Sequence, residues 1–309
     1  MATTPANDSA VRQRILATER EPLRVRAYVN VALGVVGVAF LFPIAWMVVL
    51  SFKSQAQITS MPPDLFSSFT LENYRSVLNI GVSYSSVSKA SLMEIKSTEF
   101  LQGMLNTTVV SFFSVAISAL VGIPAAYGLS RYKNALKDQL AFTFLSFRFV
   151  PQLLVIIPLY LIYQKIGLYG TYFGVIWASS LVSIPFVVWI TRSYMDDIPL
   201  EIEEAALMDG HTRRDVFFRI ILPLAKPGIA ASIIISFIAV WNNFTFGFVL
   251  ATTRLQPVTV KILSFYDITD MNYGRIAAAM MLATLPMILV SQVAAKYLVS
   301  GMSMGAVRK

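Results

Sequence analysis

The feature that most constrains this 309-residue chain is a series of six long apolar stretches. A helix needs about 20 apolar residues to cross the ~30 Å hydrocarbon core of a bilayer, and each stretch is long enough to do so. With 56% hydrophobic and only 14% charged residues, the chain has more apolar surface than a soluble core can bury. We therefore predict an all-α membrane protein with six transmembrane helices at residues 28–50, 104–130, 139–162, 171–191, 228–251 and 276–299.

The basic residues predict the orientation of these helices. Six spans place both termini on one side, and that side holds 15 Lys and Arg residues against 8 in the opposite loops. Because basic loops are retained in the cytoplasm, both termini and the loops 131–138 and 192–227 are predicted to be cytoplasmic. The chain then divides into a polar N-terminal tail, residues 1–27, and a six-helix domain, residues 28–309.

A charged segment, "EIEEAALMDGHTRRDVFFRIILPLAKPG" at residues 201–228, separates the fourth and fifth predicted spans. Pro199 and the acids after it favour the start of a helix, and Gly210 occupies a position where helices often end. Thr212 with Asp215 three residues later resembles a capping box, so a second helix is predicted to follow at once. Two amphipathic helices resting on lipid headgroups would show the same periodicity.

The same segment carries a spaced motif: Glu204-Ala205-Ala206, three residues, Gly210, nine residues, Ile220, one residue, Leu222-Pro223. The pattern EAA-x3-G-x9-I-x-LP resembles the signature loop of permease subunits of bacterial ATP-binding-cassette importers. Further stretches resemble the carbohydrate-uptake branch, specifically its smaller, maltose-type permease. They are "FTLENY" (69–74), "IPLY" (157–160), "AVWNNF" (239–244) and "KYLVSGMSMGAVRK" (296–309). The sequence departs from the pattern of this branch at Asn243, where many relatives carry an acid.

The resemblance implies a type I ABC importer permease fold in which the first short helix is a coupling helix, seated in a cleft of a nucleotide-binding subunit. Ala205 and Ala206 would permit close approach of the two backbones, and Glu203 and Glu204 would offer charge to basic groups on that subunit. The expected ATPase-coupling residues are Glu203, Glu204, Ala205, Ala206, Met208, Asp209, Gly210, Ile220, Leu222 and Pro223.

The resemblance also implies the partners and the location. It predicts a bacterial inner-membrane protein that pairs with a second permease subunit, a homodimeric ATP-binding subunit and a periplasmic or lipid-anchored solute-binding protein. The chain contains no Gly-Lys pair and so lacks a phosphate-binding loop of its own. ATP and Mg would be used by the partner ATPase, with no cofactor bound here. The cargo implied is a sugar or polyol, with an amino acid or oligopeptide as the alternative.

Polar residues within the predicted spans are candidates for a solute path, because a polar group in hydrocarbon is costly unless it faces a cavity or a partner. Arg148 falls near the middle of the third span, where an arginine costs roughly 3 kcal/mol on insertion scales. Pairing with carbonyls or packing between helices would also account for such residues. The candidates are Arg148, Trp241, Asn242, Asn243, Asn106, Gln152 and Tyr160.

The chain lacks the residues that other classes of membrane protein need. There is no cysteine, and the one histidine, His211, lies in a predicted turn without a set of metal ligands around it. Every Asp and Glu falls outside the six spans as drawn, which argues against a secondary transporter coupled through intramembrane acids and against a membrane-embedded enzyme. Basic residues are dispersed between apolar runs, which fits topology better than nucleic-acid binding. The polar insertion at residues 81–100 has no predicted role.

Overall fold

The computed structural model describes residues 23–64, 67–81, 87–132, 137–266 and 272–305, in which all regular structure is helical. The fold class is therefore confirmed as all-α. The helices are α1 (Leu23–Ser51), α2 (Gln55–Thr59), α3 (Glu72–Leu78), α4 (Val87–Arg131), α5 (Lys137–Ser146), α6 (Gln152–Ile166), α7 (Tyr172–Asp196), α8 (Leu200–Met208), α9 (Arg213–Leu224), α10 (Lys226–Trp241), α11 (Thr245–Leu250), α12 (Val258–Lys261) and α13 (Tyr273–Gly305).

Within the described residues, four helices contain segments that are long and apolar enough to cross a membrane, namely α1, α4, α7 and α13. They correspond to the first, second, fourth and sixth predicted spans. Helices α9 and α10 pass the same test together, as a pair bent by 73°. The total of six crossings and the side on which the termini lie stay predictions.

The third predicted span is wrong as a continuous helix. Helix α5 ends at Ser146, a 3-10 turn covers Phe147–Phe149, and α6 begins only at Gln152. Pro151 explains the interruption, since it cannot donate a backbone hydrogen bond and forces the residue before it into an extended conformation. Val150 has such a conformation, with φ −70° and ψ 121°.

The fifth predicted span is interrupted as well. Helix α10 ends at Trp241, and the short helix α11 follows after a break of three residues. The two asparagines in the break compete for backbone groups. Asn242 Nδ2 donates to the carbonyl of Ile238 at 3.0 Å, and Asn243 Oδ1 accepts from the backbone N–H of Phe246 at 3.1 Å.

Helix α4 is much longer than predicted. It begins at Val87 and has 45 residues, or ~68 Å at 1.5 Å per residue, so it projects well beyond one face of a bilayer. Part of the insertion at 81–100 therefore forms the first turns of α4, while residues 82–86 lie outside the described residues. Glu99 precedes the second span as drawn but falls in the longer apolar segment Thr98–Arg131 of this helix, and it pairs with Lys261 at 3.2 Å.

Helices α4 and α7 pack against each other at the centre of the bundle through serines and a glycine. Ser114 Oγ donates to the carbonyl of Ile176 at 3.0 Å, and the hydroxyls of Ser118 and Ser183 contact each other. At Gly122 a Cβ would lie 2.8 Å from the side chain of Val187. Small side chains therefore allow the two backbones to approach closely, as is typical of helix packing in membranes.

Candidate functional site

The charged segment folds as predicted into two helices joined by a tight reversal. Helix α8 ends at Met208, and Gly210 has φ +87°. The N–H of Gly210 donates to Leu207 and that of His211 to Ala206, both at 3.1 Å, which is the Schellman arrangement of a helix end. No atom of the described residues lies within 4 Å of a Cβ built at Gly210, so glycine is needed for the backbone angle and not for space.

The second helix starts with the capping box that the sequence predicts. Asp215 N–H donates to Thr212 Oγ1 at 3.2 Å, and Thr212 N–H donates to Asp215 Oδ2 at 3.3 Å. A π-helical segment, Val216–Ile221, then leads to Pro223, which has no N–H to donate and would clash with the carbonyl four residues earlier in a regular helix. Pro227 lacks an N–H as well, and the 73° bend between α9 and α10 lies between the two prolines, at Ala225.

Helix α8 has one face turned into the protein and one turned out. Ala206 is 7% exposed and packs in an apolar cluster with Ala126 of α4 and Val216 of α9. On the outer face Met208 is 88% exposed, although it is a large apolar residue. Its exposed neighbours in the predicted coupling set are Glu204, Ala205 and Asp209.

Glu203 differs from the expectation that its charge is offered to a partner. Its side chain is 9% exposed and accepts from Arg131 Nε and, at 3.0 Å, from the Tyr127 hydroxyl, both on α4. The carboxylate is therefore neutralised within the chain. Sequence reasoning missed Arg131 and Tyr127 because they lie more than 70 positions away, and Arg131 was counted only as a basic residue in a loop.

Three other predicted coupling residues belong to the second helix and its bend. Ile220 and Leu222 are half-buried against the apolar cluster that contains Ala206. Pro223 is exposed at the bend. Ile220 and Leu222 therefore pack beneath α8, and the coupling role of these three residues stays a prediction.

Two of the predicted solute-path residues meet at the two helix breaks. Asn243, between α10 and α11, donates from Nδ2 to Gln152 Oε1 at 3.3 Å, and Gln152 is the first residue of α6. Asn242 is exposed beside them, with Nδ2 3.0 Å from Met287 Sδ. Asn243 and Gln152 therefore form a polar patch where the backbone of both predicted spans is irregular, whereas the Asn242 side chain contacts α13.

The other candidates lie apart from this patch. Asn106 is fully buried and donates to the carbonyls of Arg254 and Gln256, at 2.8 and 3.0 Å, while its Oδ1 accepts from the Tyr172 hydroxyl at 2.7 Å. Trp241 is 2% exposed and donates to the carbonyl of Ala283 at 3.1 Å.

Tyr160 accepts from Gln164 Nε2 at 2.6 Å and is half-buried. Arg148 lies in the 3-10 turn after α5, and its side chain is outside what the structure describes.

Comparison with known proteins gives concordant matches. The family model described as "Binding-protein-dependent transport system inner membrane component" matches residues 118–304. The probable ABC transporter permease protein YurM of Bacillus subtilis is 30% identical over 272 residues, which cover 88% of this chain and 85% of that protein. The trehalose/maltose transport system permease protein MalG of Thermococcus litoralis is 28% identical over 291 residues, covering 94% and 99%.

Among solved structures, a bacterial ABC transporter involved in the import of the acidic polysaccharide alginate matches with a TM-score of 0.69 and 23% identity, over 89% of this chain and 96% of that chain. At this identity the match shows a common fold. The family model covers more than half of the chain, and the resemblance seen in the motif is confirmed. The chain belongs to the family of inner-membrane components of binding-protein-dependent transport systems.

Proposed function

We propose that this protein is the membrane-spanning permease subunit of an ATP-driven importer that carries a sugar or polyol across the inner membrane. The carbohydrate cargo is supported by the relative named for trehalose and maltose and by the fold shared with the alginate importer. The proposed assembly contains a second permease subunit, two copies of an ATPase subunit, and a periplasmic or lipid-anchored receptor for the solute.

The observation that carries the coupling role is the outer face of α8. Met208 projects almost completely exposed from the end of a short helix, flanked by the small side chain of Ala205 and the acids Glu204 and Asp209. An exposed apolar residue rimmed by charge is typical of a docking contact. We propose that this face seats in an apolar cleft of the ATPase subunit whose rim is basic.

The polar patch at the two helix breaks supports a solute path. Gln152, Asn242 and Asn243 offer amide donors and acceptors, which suit the hydroxyl groups of a sugar. Irregular backbone at membrane depth is tolerated where it is buried in protein or lines a water-filled cavity. We place the solute path along this patch. Asn106 and Trp241 support the frame around it through their own hydrogen bonds.

Reconstitution tests this function. Vesicles containing the chain, its second permease, the ATPase subunit and the receptor should accumulate radiolabelled trehalose or maltose only when ATP is enclosed with the ATPase. Omission of the ATPase subunit alone should abolish uptake. Uptake by this chain alone, without an ATPase, would refute the proposal.

A further inference from the structure

The carboxylate of Glu203 is held to α4 by two donors. Arg131 Nε donates to Oε1 and the Tyr127 hydroxyl to Oε2, so each oxygen has a partner on the same helix. The side chains of Arg131 and Glu203 are only 7% and 9% exposed. A charge pair that is withdrawn from water and fully hydrogen-bonded is held much more firmly than a surface ion pair.

The same two α4 residues reach the segments on either side of α8. Arg131 Nη2 donates at 3.0 Å to the carbonyl of Ile198, in the connection between α7 and α8. The ring of Tyr127 packs 4.8 Å from that of Phe217 on α9. We name Arg131, Tyr127 and Glu203 the clamp, and residues 198–217 the coupling segment. The clamp therefore joins α4 to α8 and to both ends of the coupling segment.

Apolar packing does not supply this attachment by itself. Ala206, on the same face of α8 as Glu203, contributes one small side chain to the cluster that includes Ala126 of α4. A cavity of about 630 Å³ lies between α4, α8 and α9, and its lining includes the three clamp residues together with Gly128 and Leu207. Because Ala206 is the one buried apolar residue of α8, the position of α8 relative to α4 depends on the clamp as well as on this cluster.

We propose that Arg131 and Tyr127 are positioning residues that make α8 and the end of α4 move as one body. This inference rests on the proposed function, in which α8 is displaced by an ATPase subunit. Because α4 is joined to α7 through Ser114 and Ser118, a displacement of α8 passes directly to the centre of the bundle. A movement of α8 then reaches the proposed solute path through α4 as well as through the chain connections to α7 and α9.

Removal of the charge pair of the clamp in the assembled importer tests the proposal. Glu203→Gln leaves Arg131 buried without its counter-ion, which is expected to harm folding, whereas Arg131→Gln with Glu203→Gln removes both charges. The double variant should still assemble with the ATPase subunit, but import of labelled trehalose or maltose per ATP hydrolysed should fall about tenfold. Glu201→Gln, an exposed acid on the same helix, is the control and should leave this ratio unchanged.

A distance measurement tests the clamp independently of transport activity. The chain has no cysteine, so spin labels on Gly128→Cys and Leu207→Cys report only the gap between α4 and α8. With the clamp intact, the distribution of this distance should be narrow and should be the same with and without trapped ATP. In the double variant the distribution should broaden. An unchanged distance and an unchanged import ratio in the double variant would overturn the proposal. If the unmodified chain failed to bind an ATPase subunit, the proposed function would fail, and the label distance would still decide whether the clamp holds α8.

Discussion

At the scale of single residues, the reversal after α8 depends on the backbone of Gly210. Its φ of +87° is a conformation that L-residues rarely adopt, although there is room for a side chain. A residue with a Cβ pays roughly 1–2 kcal/mol in the left-handed region, and asparagine tolerates it best.

We expect Gly210→Val to lower the thermal stability of the purified chain and to reduce sugar uptake by the importer. Gly210→Asn, the matched control, should stay close to the unmodified protein in both measurements, because the strain and not the added volume is responsible. Equal effects of valine and asparagine would show that the backbone angle is not what the glycine supplies.

Residue-scale features were predictable where the chemistry is local. Gly210 and the Thr212–Asp215 box act within a few residues of one another, so their spacing reveals them. The pairing of Glu203 with Arg131 depends on how α8 folds back onto α4, and no spacing indicates it. Asn106 is similar, since its amide bonds to carbonyls about 150 positions away.

At the scale of elements, α8 presents one of its two alanines to the outside and buries the other. Both Ala205 and Ala206 were expected to allow close approach of a partner backbone. In the structure Ala205 faces outward, whereas Ala206 is packed inside the chain's own cluster.

Replacement by tryptophan should distinguish the two faces. Ala205→Trp should leave the chain inserted and stable but prevent co-purification with the ATPase subunit. Ala206→Trp should destabilise the chain itself by about 1–3 kcal/mol, because it overpacks a filled cluster. Melting temperatures report the stability of each variant, and pull-down yields measured in parallel report its binding to the ATPase subunit. Loss of ATPase binding without loss of stability in Ala206→Trp would contradict the assignment of the faces.

The long apolar elements show how far hydropathy can predict a fold. It predicts α1, α4, α7 and α13 as spans because length and apolar content decide them. It fails in the third and fifth predicted spans because the apolar pattern continues through Pro151 and through Asn242 and Asn243, where the backbone itself is interrupted. Proline and asparagine act on backbone hydrogen bonds, which a hydropathy average does not register.

At the scale of the whole molecule, the predicted orientation rests on the excess of Lys and Arg on one side. A chain without cysteine allows a direct test with single-cysteine variants. A membrane-impermeant maleimide added to intact spheroplasts should label Leu71→Cys in the loop after α1 but not His211→Cys after α8. In inside-out vesicles the pattern should reverse. Labelling of His211→Cys from outside would place the coupling segment on the wrong side of the membrane.

Coupling to ATP hydrolysis requires that α8 contacts an ATPase subunit through its outer face. Two methionines allow this to be measured, since Met208 and Met61 are 88% and 98% exposed. A photo-crosslinker on Met208→Cys should capture the ATPase subunit in the assembled importer. The same reagent on Met61→Cys, in the loop after α1, should not. Failure of Met208→Cys to reach the ATPase in an importer that still accumulates trehalose or maltose would contradict the central claim.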